Sequence, residues 1–154
     1  MTRADPDLAG TLAARLDRAA QARLGRSLAL FAAPVAECGG CTLELQALRG
    51  TLYRLARLGL GFVGTPAQAD VLLVSGALTG AMAEPLRRAW EAASDPKWVV
   101  GIGDCAGDGG LFRGAYPVLG GIGEAVPVDL LVPGCPPSPA AVLQALAALV
   151  EANA

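Results

Sequence analysis

Apolar residues along this chain recur in two registers, short continuous runs and stripes at helical spacing, and the two alternate. Leu8, Leu12 and Leu16 fall four apart between residues 5 and 24, which predicts an amphipathic helix. Asp5-Pro6 supplies a cap followed by a first-turn proline, and Gly25 supplies a stop. Residues 27–31 read as a buried strand. Residues 42–58 then read as a helix with Leu45, Leu48, Leu52 and Leu55 on one face, ended by Gly59. Residues 70–74, 97–102 and 126–132 are further apolar runs of strand length. A helix over residues 85–93 is expected to bury Leu86, Ala89 and Trp90. Ser138 caps a last helix that starts at Pro139 and turns Val142, Leu143, Leu146 and Leu149 inward. Four strands apolar on both faces, alternating with helices, imply an α/β fold with a parallel sheet covered on both sides. The expected division is an N-terminal amphipathic helix over residues 1–26 and a single domain over residues 27–154.

Residues 106–123 break the pattern. Seven of these eighteen residues are glycine, so the segment reads as a loop able to approach something closely. The basic face of the first helix, with Arg15, Arg18 and Arg23, fits a partner protein, anionic headgroups or plain solvent.

Composition narrows the chemistry. In 154 residues there are 12 Lys+Arg against 14 Asp+Glu, a net charge of -2, so no basic field exists to hold nucleic acid. There is no histidine, which excludes Ser-His and Cys-His catalysis and leaves thiolates or carboxylates as metal donors. The four cysteines are Cys38, Cys41, Cys105 and Cys135. No secretory signal is evident, because the apolar run over residues 28–36 lies too far from the start and lacks a small-residue cleavage site. No apolar stretch has the length of a membrane span. A cytoplasmic, reducing location is therefore expected, where cysteines bind metal or do redox chemistry more often than they form disulfides.

Each cysteine site follows a predicted strand. In open parallel sheets the carboxyl ends of the strands share one edge where ligands collect, so these thiols can converge despite gaps of 63 and 29 residues. Three readings fit four thiols in this pattern. A structural zinc usually shows two Cys-x-x-Cys knuckles, and only Cys38-Gly39-Gly40-Cys41 is present. A cubane iron-sulfur cluster needs four cysteines and accepts them from separate loops. A thioredoxin-like dithiol would use Cys38 and Cys41 and leave Cys105 and Cys135 as core thiols.

The segments Glu37-Cys38-Gly39-Gly40-Cys41-Thr42-Leu43-Glu44, Ala69-Asp70-Val71-Leu72-Leu73-Val74-Ser75-Gly76, Asp95-Pro96-Lys97-Trp98-Val99-Val100, Gly103-Asp104-Cys105-Ala106 and Val126-Pro127-Val128-Asp129-Leu130-Leu131-Val132-Pro133-Gly134-Cys135-Pro136-Pro137 carry a more specific signal. They resemble the family that joins the B-type subunit of respiratory complex I to the small subunits of membrane-associated nickel-iron hydrogenases, over about residues 27–149. The resemblance implies a flavodoxin-like three-layer half-domain holding one 4Fe-4S cluster on Cys38, Cys41, Cys105 and Cys135. It implies an electron relay with no turnover of its own, working between a large catalytic subunit (nickel-iron, or like the D-type subunit of complex I) and a ferredoxin-like iron-sulfur subunit. Membrane subunits would be reached indirectly, at the inner face of the cell membrane. The complex I branch has adjacent cysteines where Gly39-Gly40 intervenes here, and the chain is short. It therefore looks most like the compact small subunit of energy-converting, formate-hydrogenlyase-type hydrogenases, with a quinone-reducing complex I-like role as the alternative.

Around those ligands, Glu44 matches an acidic family position, and its plainer reading is a first-turn glutamate favoured by the helix dipole. Glu37 and Asp104 either tune a cluster by charge or are solvated. Trp90 and Trp98 read as core residues. Leu111, Phe112 and Tyr116 either cover the cluster, meet a partner or pack as a lid.

Overall fold

The computed structural model describes residues 6–36, 38–50, 55 and 61–153. The chain opens with helix α1 (Pro6–Leu24), which Gly25 ends at φ +70 by donating its N–H to Gln21 O at 2.9 Å. Leu12 and Leu16 are buried with Ala13, Ala19 and Ala20, whereas Leu8 is 49% exposed. The second helix ends at Leu48, ten residues short of the expected end, because the N–H groups of Arg49 and Gly50 turn back to Gln46 O and Ala47 O at 3.0 and 3.1 Å; the expected Asp5 cap, residues 51–54 and 56–58, Gly59 and Glu37 lie outside the described residues.

Strands β1 (Ala29–Pro34), β2 (Gly61–Phe62), β3 (Val71–Ser75), β5 (Trp98–Ile102) and β7 (Leu130–Val132) form one parallel sheet in the order β2-β1-β3-β5-β7. Renumbered along the sheet, that order is 2-1-3-4-5, the flavodoxin-like winding. The four expected strands are present. The fifth, β2, is a two-residue edge strand paired to β1 through Ala29↔Gly61 and Leu30↔Phe62, too short to leave a period in the sequence. Strand β7 begins later than expected because Pro127 has no N–H to offer the ladder, and the Asp129 carboxylate itself accepts from Val99 N at 2.8 Å.

Alternation along β3 and β5 explains the three layers. Val71, Leu73, Val100 and Ile102 face one way and join a core with α1, α2 (Gly40–Leu48) and α5 (Pro139–Ala152). Leu72, Val74 and Val99 face the other way, against Leu86 of α3 (Gly80–Ala92), Ala106 of α4 (Asp104–Asp108), Ile122 and Val126. Ser138 caps α5 as expected, accepting from Ala141 N at 3.2 Å. Helix α3 starts five residues earlier than its apolar stripe indicates and carries Pro85 inside it. Of its expected inward residues, Leu86 is buried, and Ala89 and Trp90 are half-buried.

Two of the three arginines on the basic face of α1 contact the fold, and Arg18 is exposed. Arg15 makes a bidentate pair with Glu151 of α5 at 2.8 Å, and Arg23 lies over the Trp98 ring at 5.9 Å. Glycine-rich residues 106–123 are more ordered than a loop. They hold most of α4, a 3-10 turn (Gly110–Phe112), the start of another (Ile122–Glu124) and β6 (Val118–Gly120), which pairs antiparallel with β4 (Leu78–Thr79). The local sequence hides this because the pairing partner lies about 40 residues upstream, and glycine has no side chain to record it.

Candidate metal centre

The site is assembled on the carboxyl edge of the sheet. Chain reversal at the ends of β1, β5 and β7 leads directly into the three cysteine-bearing loops. Strand β1 gives way to Cys38, and Cys41 sits in the first turn of α2, which begins at Gly40 rather than after Cys41. Strand β5 leads through Gly103 to Cys105, the second residue of α4. Strand β7 leads through Gly134 to Cys135, ahead of α5. None of the four cysteines is in a disulfide. Cys38 and Cys135 are exposed, while Cys41 and Cys105 are half-buried.

Contacts between these loops place the sulfurs on one rim. A Cβ on Gly103 would lie 2.8 Å from Cys41 Sγ and 3.3 Å from Gly134 O, so the Cys105 loop meets both of the others at that point. A Cβ on Gly40 would lie 3.6 Å from Cys38 Sγ and 3.8 Å from Pro136 Cδ, which puts Cys38 beside the residue after Cys135. Burial pushes the Cys105 thiol above its ordinary pKa; the Leu111 N–H opposes this, and the charges of Cys135, Cys38 and Asp104 raise it further. The three loops therefore bring all four predicted thiols into one neighbourhood. Among the described residues, no three Cys, Asp or Glu side chains are gathered closely enough to hold a single metal ion.

Glycine is what lets the loops meet. Gly103 sits at φ +89, ψ 166, a region open essentially to glycine alone. Gly134 sits at φ +140, where a Cβ would come 2.7 Å from Pro137 N. Gly110, at φ +52, backs onto Cys105, and its Cβ would lie 3.0 Å from that sulfur. The spacing of the cysteines does not reveal these clearances; the glycine beside each ligand motif is their trace in the sequence.

Other candidate residues fall as follows. Asp104 is exposed, and its Oδ1 accepts from Gly134 N at 2.9 Å. Glu44 is half-buried and stands in the second turn of α2, not the first, because that helix starts earlier than expected. Trp98 is buried in the core. Leu111 is 84% exposed and Tyr116 fully so, with Phe112 at 38%, so none of the three forms a lid packed on its own domain. Sequence reasoning missed Ser75, the last residue of β3. It is 1% exposed, its Oγ has no hydrogen-bond partner among the described residues, and it lines a small pocket under α2 with Thr42, Gln46 and Arg49.

The donor set is four thiols with no imidazole, offered by three loops around glycine clearances. It suits a sulfur-rich cluster held from several sides better than a close-packed mononuclear ion. Comparisons with known proteins identify the family. The model of the family described as NADH ubiquinone oxidoreductase, 20 Kd subunit, matches residues 38–149, a span that includes all four cysteines. Formate hydrogenlyase subunit 7 of Escherichia coli (strain K12) is 42% identical over 125 residues, covering 81% of this chain and 49% of that protein. The chain thus spans about half the length of that curated relative. A chain of the membrane-bound sulfane sulfur reductase, an archaeal respiratory membrane complex, superposes with a TM-score of 0.71 at 30% identity, over 90% of this chain and 76% of that one. A chain of an NAD+-reducing NiFe-hydrogenase in the H2-reduced state shares the fold, with a TM-score of 0.58 at 23% identity over 74% of this chain and 85% of that one. On the match across residues 38–149 and the identity to the formate hydrogenlyase protein, this chain belongs to the family of the NADH ubiquinone oxidoreductase 20 Kd subunit.

Proposed function

We propose that the chain is the electron-relay small subunit of a membrane-associated, hydrogenase-type oxidoreductase complex, holding one 4Fe-4S cluster on Cys38, Cys41, Cys105 and Cys135. The observation that carries this reading is that Gly103 meets both Cys41 Sγ and Gly134 O, with Gly40 between Cys38 Sγ and Pro136 and with Cys105 within the electrostatic reach of Cys38 and Cys135. A bound cluster of this type supplies one-electron transfer, at a potential set by its net charge, hydrogen bonds and exposure. The chain's own residues present four thiols, and the Leu111 N–H is directed at Cys105 Sγ. In this reading residues 27–154 are the cluster-bearing domain and residues 1–26 a separate N-terminal segment, whose helix α1 packs against α5.

Exposed apolar side chains support the reading that partner subunits cover this edge. Leu43 stands two residues after Cys41 and is 67% exposed; Leu111, Tyr116 and Leu119 follow Cys105 and are exposed as well. Exposed apolar side chains on the segments that follow half-buried Cys41 and Cys105 suit burial by a protein neighbour. The neighbours in this reading are a large catalytic subunit, nickel-iron or like the D-type subunit of complex I, and a ferredoxin-like iron-sulfur subunit. No helix among the described residues is long and apolar enough to cross a membrane. In this reading the chain attaches at the cytoplasmic face through partner subunits. The hydrogenase-type branch is favoured over a quinone-reducing complex I-like one by the Gly39-Gly40 spacer and by the 42% identity to formate hydrogenlyase subunit 7.

The test is anaerobic co-purification with the adjacent subunits, followed by iron and acid-labile sulfide assays. About four of each per chain is expected, with loss of both in Cys135→Ser. Equimolar zinc without sulfide would overturn the reading in favour of a structural metal module. A redox-active Cys38–Cys41 pair that survives Cys135→Ser would overturn it in favour of dithiol exchange.

A further inference from the structure

We infer that Asp104 is a positioning residue for the thiol site, locking the Cys105 and Cys135 loops together before any cluster arrives. The inference rests on the cluster reading above for its purpose, but its geometry is independent of it. Parallel pairing between β5 and β7 ends at Ile102↔Val132. Beyond that point the two chains stay together through three more hydrogen bonds. Gly103 N donates to Val132 O at 2.8 Å, Asp104 N donates to Gly134 O at 2.9 Å, and Gly134 N donates back to Asp104 Oδ1 at 2.9 Å. Asp104 and Gly134 thus grip each other reciprocally, each immediately before a cysteine.

Only one of these bonds depends on a side chain, and it secures the backbone with the most freedom to lose. Gly134 lies at φ +140, outside the range of ordinary residues, and glycine gives up more conformational entropy on ordering than any other residue. An aspartate at the first position of a short helix would ordinarily serve its own helix terminus. Here α4 has no side-chain cap, and the carboxylate reaches across to the neighbouring loop. A charge-assisted bond to a backbone N–H is among the stronger hydrogen bonds available. Pre-ordering one ligand loop against another lowers the entropy lost when all four thiols must engage one object.

Two variants of the full chain, Asp104→Asn and Asp104→Ala, made anaerobically with the partner subunits, separate the grip from the charge. The readouts are hydrogen exchange at the Gly134 amide, iron and sulfide content, and reduction potential. Asn keeps an oxygen acceptor, so slow exchange and parental iron content are expected, with the potential moved to a more positive value by loss of a negative charge. Ala removes the acceptor. Gly134 exchange should rise roughly ten-fold, and iron content should fall to less than half. Unchanged exchange across Val71–Ser75 verifies that the sheet is intact in both variants. Parental Gly134 protection and parental iron in Asp104→Ala overturn the inference, and so does an Asn variant that behaves like Ala. A parent complex without iron and sulfide overturns the cluster reading instead, while Gly134 exchange still decides the grip.

Discussion

Replacing Gly103 by alanine tests the construction of the site at its tightest point. The residue sits at φ +89, ψ 166. Holding a residue with a Cβ there costs about 1–3 kcal/mol in backbone strain. The new methyl would also stand 2.8 Å from Cys41 Sγ and 3.3 Å from Gly134 O, well inside the ~3.5–4.0 Å of ordinary contact. Relief requires the Cys41 side chain or the Gly134 loop to move, which adds about 1 kcal/mol or more of off-rotamer or repacking cost. A total near 2–4 kcal/mol is a large part of the ~5–15 kcal/mol that holds a domain together, yet leaves most chains folded. Gly103→Ala should therefore lower the urea midpoint clearly while sharply reducing iron content, because either route of relief displaces a thiol-bearing loop. Gly10→Ala in α1 is the control. Nothing lies within 4 Å of its added Cβ, and helix propensity predicts a gain of about 0.5–1 kcal/mol with no change in iron. A Gly103→Ala chain with the parental midpoint and full iron would refute the claim that this glycine is the clearance between loops.

Further consequences are checked with simpler measurements. Asp70, 4% exposed, accepts from both Arg26 Nη atoms at 2.7 and 2.6 Å and from Ala29 N at 2.9 Å; Asp70→Ala should cost about 3 kcal/mol by urea unfolding, and a loss below ~1 kcal/mol would show that the carboxylate adds nothing net. The Arg15 hydrogen bond and charge hold the Glu151 carboxyl below its usual range. Its folded pKa thus lies under the unfolded one, so its contribution is complete above the ordinary carboxylate pKa and fades as pH falls through the folded value. The melting-temperature difference between the parent and Arg15→Gln, small because both groups are exposed, should shrink between pH 7 and pH 3. In chain freed of metal, iodoacetamide should label Cys38 and Cys135 first. Cys41 should lag through burial, and Cys105 further still because its raised pKa leaves less thiolate near neutrality. Equal labelling rates at all four would contradict the burial order.

The sheet was legible because its strands are apolar on both faces. The runs at 70–74 and 97–102 show that pattern only if helices cover the strands from both sides, and Val71 and Leu72 indeed point into different cores. Strand β2 left no such trace, since two residues cannot establish a period, and β6 depends on a partner far upstream. The four thiols were legible as a group because each follows a strand. Which glycine makes room for which sulfur was not, because a clearance is a relation between loops distant in sequence. Asp104 is the sharpest case. Beside a cysteine, its charge suggested tuning or solvation, whereas its carboxylate holds the backbone of Gly134, thirty residues away.

That relation explains why the site needs its loops more than its sheet. Neighbouring strands lie about 4.8 Å apart, so the ends of β1 and β7, separated by β3 and β5, are spread over roughly 14 Å. Strand β3 offers no thiol and ends in Ser75-Gly76. A frame of that width, left to project its cysteines straight ahead, would hold them too far apart to share one small group. The turns must lean inward, and those before Cys41, Cys105 and Cys135 pass through Gly39, Gly103 and Gly134, all at positive φ. Glycines that permit the lean also permit its loss, which is why the loops are bonded to one another. Substitutions in the sheet core should accordingly reduce stability and iron content in parallel. Those at Gly103 or Asp104 should reduce iron content by more than their stability cost explains.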